Sequence, residues 1–224
     1  MIVEVLGLPG VGKTTFVEEL LSNSDNINSP ELCKSNITRL SRAWHSLVFL
    51  AKFIYRYPNA ITSLTTQFRW LVFKMSYRYQ NYARQSKSGL CILQNNGVLM
   101  PIVSFIVQRN NKGININFNK LIRLLPMPDV IILVTSSIGV NISRYSIRGG
   151  ILNSRHGYRN KVVVNEKLFC KFNEGRLVIE EIVSFAKLNG SKIINIDNEE
   201  VINNKDIINR VKGVSECLEE YRIK

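Results

Sequence analysis

The sequence predicts an α/β protein, a three-layer α/β/α sandwich around a four- or five-stranded parallel sheet. Three observations point there. Short, nearly uninterrupted apolar runs at residues 2–6, 90–94 and 130–134 have the length and composition of strands covered on both faces. Helix-like segments alternate with them, and the first run leads through a glycine-rich corner straight into such a segment. The chain has 224 residues, 45% of them hydrophobic, which suffices for one domain with a full core spanning residues 1–224.

The corner carries the most chemistry. Gly7-Leu8-Pro9-Gly10-Val11-Gly12-Lys13-Thr14-Thr15 fits G-x-x-x-x-G-K-[ST], the phosphate-binding loop, in its required place between a strand and a helix. Glycines at 7, 10 and 12 let the backbone turn tightly and bring its N–H groups up to phosphate oxygens. The positive end of the following helix dipole adds to that field. Gly7, Pro9, Gly10, Val11, Gly12, Lys13, Thr14 and Thr15 are therefore expected to bind the cofactor. Lys13 would sit against the β and γ phosphates, and Thr14 would offer its hydroxyl to Mg²⁺. The expected ligand is a nucleoside triphosphate, ATP with Mg²⁺.

Charge sets further bounds. The net charge is +13, yet residues 32–128 contain no Asp or Glu and fourteen Lys and Arg. The basic field thus belongs to the middle of the chain, where it would serve an anionic small molecule, an anionic surface or simply a solvated face. Cys33, Cys91, Cys170 and Cys217 are far apart and lack the spacing of a zinc site or a disulfide framework, which favours a reducing, cytoplasmic setting. The first strand starts at once, so no removable leader is expected. No apolar run reaches the roughly 18 residues of a membrane span.

Residues 2–6 read as a buried parallel strand apart from Glu4, and residues 13–21 as the first helix. Residues 22–30, rich in Ser, Asn and Asp, read as a polar connector. Residues 38–87 form a basic helical insert, a hairpin broken at Tyr57-Pro58-Asn59. Its first arm sets Trp44, Leu47, Val48, Ala51, Ile54 and Tyr55 on one apolar face, a pattern commoner in cores than in ligand platforms. After the strand at 90–94, Asn95-Asn96-Gly97 falls at the carboxyl end of the sheet, where ligands bind in open parallel sheets. Helices are expected at 98–108 and 118–125, then the strand at 130–134.

Residues 141–160 read as an arginine-bearing lid. Arg144 and Arg148 share a helix face, Gly149-Gly150 suggest a hinge, and Arg155 and Arg159 lie beyond it. Planar guanidinium groups suit the spread charge of a transferring phosphoryl group, so Lys13, Arg144, Arg148 and Arg155 are the candidate catalytic residues. A long helix over 161–189, ended by Gly190, a strand at 192–197 and a helix over 203–220 complete the chain.

With these elements in place, the chain resembles, over nearly its full length, the nucleotide-kinase branch of the P-loop proteins, the group of thymidylate and deoxynucleoside kinases. The glycine-rich loop, the strand opening Pro128-Asp129 and the position of Arg144 to Arg159 carry the likeness. It looks still more like the kinase-like proteins of bacterial surface-polysaccharide gene clusters, which carry a comparable Arg/Tyr-rich insert with a break like Tyr57-Pro58. The resemblance implies a P-loop kinase fold and ATP-dependent phosphoryl transfer.

One departure bears on function. Where those kinases place Asp-Gln-Gly or Asp-Glu-Gly, this chain has Asn95-Asn96-Gly97, so an amide stands where an acid would hold Mg²⁺. A hydroxyl acceptor needs a base, whereas a phosphate acceptor needs positioning and charge neutralisation. The expected acceptor is thus an acidic or phosphorylated small molecule of nucleotide or sugar-phosphate type. Two alternatives remain: a nucleotide-binding regulator with little catalysis, and a module whose basic insert makes peripheral contact with an anionic surface. No nucleic-acid motif appears, so nucleic acid is not an expected partner.

Overall fold

The computed structural model describes residues 1–24, 27–28, 44, 47, 51, 55, 91–95, 97–110, 127–155, 166–199 and 204–223, with side chains outside that description at 108–110, 148–155, 204–208 and 221–223. Five parallel strands form its sheet: β1 (Ile2–Leu6), β2 (Ile27–Asn28), β3 (Cys91–Gln94), β4 (Val130–Thr135) and β5 (Lys192–Asp197), in the order β2-β3-β1-β4-β5. The helices are α1 (Lys13–Ser22), α2 (Leu99–Asn110), α3 (Ile138–Arg155), α4 (Glu166–Leu188) and α5 (Asn204–Ile223). Helix α1 packs with α5, and α2 and α3 pack with α4, which gives the α/β/α layering expected from the sequence.

Central position explains the apolar strands. β1 has a hydrogen-bonded neighbour on each side and helices over its faces, so all five of its residues are buried. Glu4 shares that burial, which corrects the expectation that it would be the strand's exception. The helices bury residues at three- and four-residue intervals: Phe16, Val17 and Leu20 on α1, Leu99, Ile102, Val103 and Ile106 on α2, and Val178, Ile179, Ile182 and Ala186 on α4. Pro101 is tolerated in the first turn of α2, where its missing N–H would have had no intrahelical acceptor.

Three further expectations are corrected. The connector at 22–30 contributes Ile27 and Asn28 to the sheet as β2, paired with Cys91 and Ile92. Helix α3 runs unbroken through Gly149-Gly150, so the backbone has no hinge there. A glycine pair lowers helix propensity by about 1 kcal/mol per residue, which the rest of an 18-residue helix outweighs. Trp44, Leu47 and Tyr55 are helical but exposed, at 66%, 56% and 89%, so these three do not form core. Apart from these three and Ala51, which is helical and exposed too, the insert at 38–87, the helix at 118–125, Arg159 and residues 161–165 lie outside the described residues. Among the described residues no helix is long and apolar enough to cross a membrane.

Candidate functional site

The glycine-rich loop joins β1 to α1 at the carboxyl edge of the sheet. Gly10 and Gly12 have φ of +86° and +90°, a region that L side chains rarely adopt. Space forbids a side chain as well. A Cβ on Gly10 would lie 2.4 Å from the Asn141 carbonyl oxygen, and one on Gly12 would lie 2.5 Å from Asn198 Nδ2. Gly12 is also the N-cap of α1, which has no side-chain cap and no acid in its first turn, so the helix presents its positive end to the loop uncompensated. Lys13 Nζ donates to Gly7 O (2.7 Å) and Leu8 O (2.9 Å), which holds the ammonium against the loop's first turn. Pro9 and Thr15 are exposed on the loop, while Val11 is buried beneath it.

Two asparagines that the sequence reading did not single out hold this loop from outside. Asn141, fully buried on α3, donates through Nδ2 to Ser136 O (3.2 Å) and accepts from the Ser136 hydroxyl, which sets its backbone carbonyl against Gly10. Asn198, just past β5, donates through Nδ2 to Val11 O at 2.5 Å and through its backbone N–H to Thr135 O at 2.7 Å. Its own carbonyl oxygen accepts from Arg144 Nη1 at 3.1 Å. Arg144 is therefore one residue removed from the phosphate loop, tied to it through Asn198. The sequence held a weak signal for this: polar residues follow β4 and β5 at the carboxyl edge, as Asn95 follows β3.

Of the other arginines, Arg148 lies one turn farther along α3 and Arg155 ends that helix, and their side chains lie outside the described residues. Glu199, next to Asn198, accepts from Ser137 N at the start of α3. The Ser137 hydroxyl, then the Ser137 N–H, and then the charge of Arg144 hold its carboxyl below the ordinary value.

Thr14 meets the amide that replaces the expected acid. Asn95 Nδ2 donates to Thr14 Oγ1 at 3.3 Å, and Asn95 Oδ1 is buried without a partner among the described residues. Asn96 lies outside the described residues. Among the described residues no group of three or more His, Cys, Asp or Glu gathers at a point that could hold a metal ion. The residues nonetheless fit a magnesium nucleotide. A cradle that a Cβ would fill, a lysine against it, a hydroxyl beside it and an amide oxygen without a partner among the described residues would suit a phosphate tail and an ion that keeps most of its waters.

No family model matches the chain, and no curated protein matches its sequence. Solved structures of deoxyadenosine kinase from M. mycoides do match. The form with bound dATP is 14% identical with a TM-score of 0.51, covering 96% of this chain and 98% of that one. The form with the products dCMP and a flexible dCDP is 15% identical with a TM-score of 0.53, covering 97% and 100%. The form with bound dCTP is 14% identical with a TM-score of 0.51, again covering 97% and 100%. The chain thus shares the α/β P-loop kinase fold of these structures.

Proposed function

We propose that this protein is an ATP-dependent small-molecule kinase that transfers the γ-phosphoryl group to an acidic or phosphorylated acceptor of nucleotide or sugar-phosphate type, in a setting such as surface-polysaccharide metabolism. The observation that carries this reading is the tie from Val11 through Asn198 to Arg144, which keeps an arginine within reach of whatever the loop holds. When bound, magnesium ATP supplies the electrophilic phosphorus and the ion that neutralises its oxygens. The loop N–H groups and the α1 N-terminus take the phosphate tail. Lys13 would neutralise its β and γ oxygens, Thr14 would offer its hydroxyl to the ion, and Arg144, with Arg148 and Arg155 farther along α3, would take charge that develops on the transferring group.

The acidic acceptor follows from what the carboxylates near the loop are doing. Glu199 is held below its ordinary pKa and beside Arg144, the wrong direction for a base that works near neutrality. Glu4 is buried under the sheet and engaged by backbone N–H groups. A phosphate acceptor arrives already anionic and asks only for positioning, which arginines supply. The similar structures hold dATP, dCTP and the product dCMP, which supports a nucleotide-binding site; a dCMP product comes from a neutral nucleoside, so the acidic acceptor proposed for this chain rests on its own carboxylates and arginines.

The test is label transfer from γ-labelled ATP to matched panels of phosphorylated and hydroxyl-only small molecules. Transfer to nucleoside monophosphates or sugar phosphates supports the proposal. Transfer confined to neutral nucleosides or sugars contradicts the acceptor class, and tight ATP binding with no transfer at all points instead to a regulator.

A further inference from the structure

Glu4 is an acid in the middle of a parallel sheet, 2% exposed. Its register partners are Gln94 on β3 and Ile131 on β4. Its carboxyl reaches over to the start of α2, where Oε2 accepts from Val98 N at 3.1 Å and Oε1 from Leu99 N at 2.8 Å. Helix α2 has no acid in its own first turn, so the Glu4 carboxyl oxygens supply acceptors for N–H groups at its start, which have no intrahelical partner. The turn fixed in this way carries Asn95, whose amide holds the Thr14 hydroxyl. Gly97 lies directly over the carboxyl. A Cβ there would stand 2.3 Å from Glu4 Cδ, 2.4 Å from Glu4 Oε2 and 2.6 Å from Gln94 Oε1, so acid, amide and turn crowd one point.

With the Gln94 amide oriented as it is, the hydrogen-bond inventory favours a protonated Glu4. Gln94 is 2% exposed, and both its Oε1 and its Nε2 are buried without a partner among the described residues. An ionised Glu4 would set an anionic oxygen beside that neutral acceptor. A protonated Glu4 has a hydroxyl to give, and Gln94 Oε1 is the acceptor that lacks one. Burial favours the same form, raising the Glu4 pKa to about 7 against the opposing pull of the Leu99, Val98 and Met100 N–H groups. The groups packed around it are those N–H groups from α2, the Gln94 amide from β3 and apolar Ile131 from β4. Among the described residues no charged side chain contributes to the shift.

We propose that Glu4 is a proton-carrying positioning residue, whose carboxyl shares a proton with Gln94 and fixes the turn that presents Asn95 to Thr14. When the proton leaves to solvent, the Gln94 amide must rotate so that Nε2 donates to the carboxylate. That rotation moves the group against which Gly97 packs and shifts the turn. A titration beneath the sheet is thereby read at the nucleotide site. The effect on nucleotide binding rests on the kinase reading; the link between Glu4 and the turn does not.

The experiment is a pH titration by NMR of wild type and Glu4→Gln, following the Glu4 carboxyl carbon, the Gly97 backbone amide and the Asn95 side-chain amide. A fluorescent ATP analogue with Mg²⁺ is titrated over the same range. In wild type the three resonances are expected to move together with a midpoint of about 7. In Glu4→Gln, which mimics the protonated acid, Gly97 and Asn95 should stay at their low-pH positions. The wild-type pH step in analogue affinity, at least about threefold, should vanish in the variant. A Glu4 carboxyl that titrates at its ordinary value, or one that titrates while Gly97 and Asn95 stay still, overturns the proposal. Should Glu4→Gln fail to fold, the wild-type resonances alone decide. Should the analogue fail to bind, the kinase reading falls while the resonances still judge Glu4.

Discussion

Asn198 donates its side-chain amide to the carbonyl oxygen of Val11 across 187 residues of chain, at 2.5 Å. The same residue holds Arg144 through its backbone oxygen, so a single position past β5 ties both the glycine-rich loop and Arg144. Asn198→Ala should remove the first tie and leave Val11 O without its side-chain donor. The expected cost is about 1–2 kcal/mol, seen as roughly a 5- to 30-fold loss of nucleotide affinity by calorimetry with only a modest fall in melting temperature. Unchanged affinity would show that Asn198 packs beside the loop without shaping it.

Gly12→Ala places a side chain at φ +90° and 2.5 Å from Asn198 Nδ2. Strain of about 1–3 kcal/mol should appear as lost nucleotide binding in a protein whose circular dichroism is unchanged. Wild-type affinity in the alanine variant would mean that the loop has room that its geometry denies.

Asn95→Asp tests the amide that stands beside Thr14. Asn95 Nδ2 donates to Thr14 Oγ1 and so occupies a lone pair that a cation could use, whereas a carboxylate would accept the threonine proton and add negative charge. The Mg²⁺ concentration for half-maximal nucleotide binding should fall about tenfold in the variant. A value equal to wild type would remove Asn95 from the site's metal chemistry.

Glu4 should also leave a mark on stability. Its folded pKa of about 7 lies above the ordinary 4.5, so between those values the folded state holds a proton that the unfolded chain has released. Its contribution is complete below about pH 4.5, declines as pH rises towards 7, and is flat above that. Denaturant titrations of wild type and Glu4→Gln should show a stability difference that changes by roughly 3 kcal/mol across that window, with the variant gaining relative to wild type as pH rises. A difference independent of pH would mean that Glu4 titrates normally in the folded protein.

The core makes a simpler prediction. Ile132 is fully buried at the centre of β4, between β1 and β5. Ile132→Ala should cost about 2–5 kcal/mol in denaturant unfolding and leave nucleotide affinity per folded molecule intact.

Much of this fold was legible because its signals are local. A parallel strand buried on both faces must be continuously apolar, which exposed β1, β3 and β4, and the glycine spacing of the loop follows from φ angles that only glycine adopts freely. The parts that escaped depend on distant partners. Glu4 reads as a misfit in an apolar strand until Val98 and Leu99, more than ninety residues away, are brought over it. β2 is two residues long and is a strand only because Cys91 and Ile92 lie beside it. Asn141 and Asn198 carry no motif, and their role exists only where β4 and β5 end next to the loop. Gly149-Gly150 misled for the opposite reason, since a local breaker signal was overruled by a long helix.

The most direct test of the central claim is calorimetric titration of wild type and Lys13→Ala with ATP, ADP and AMP in the presence of Mg²⁺. If the loop grips a triphosphate tail, affinity should rise with each added phosphate, and Lys13→Ala should erase most of the advantage of ATP over AMP, at least about 100-fold. Equal affinities for the three nucleotides, or a preference for ATP that survives Lys13→Ala, would contradict the account.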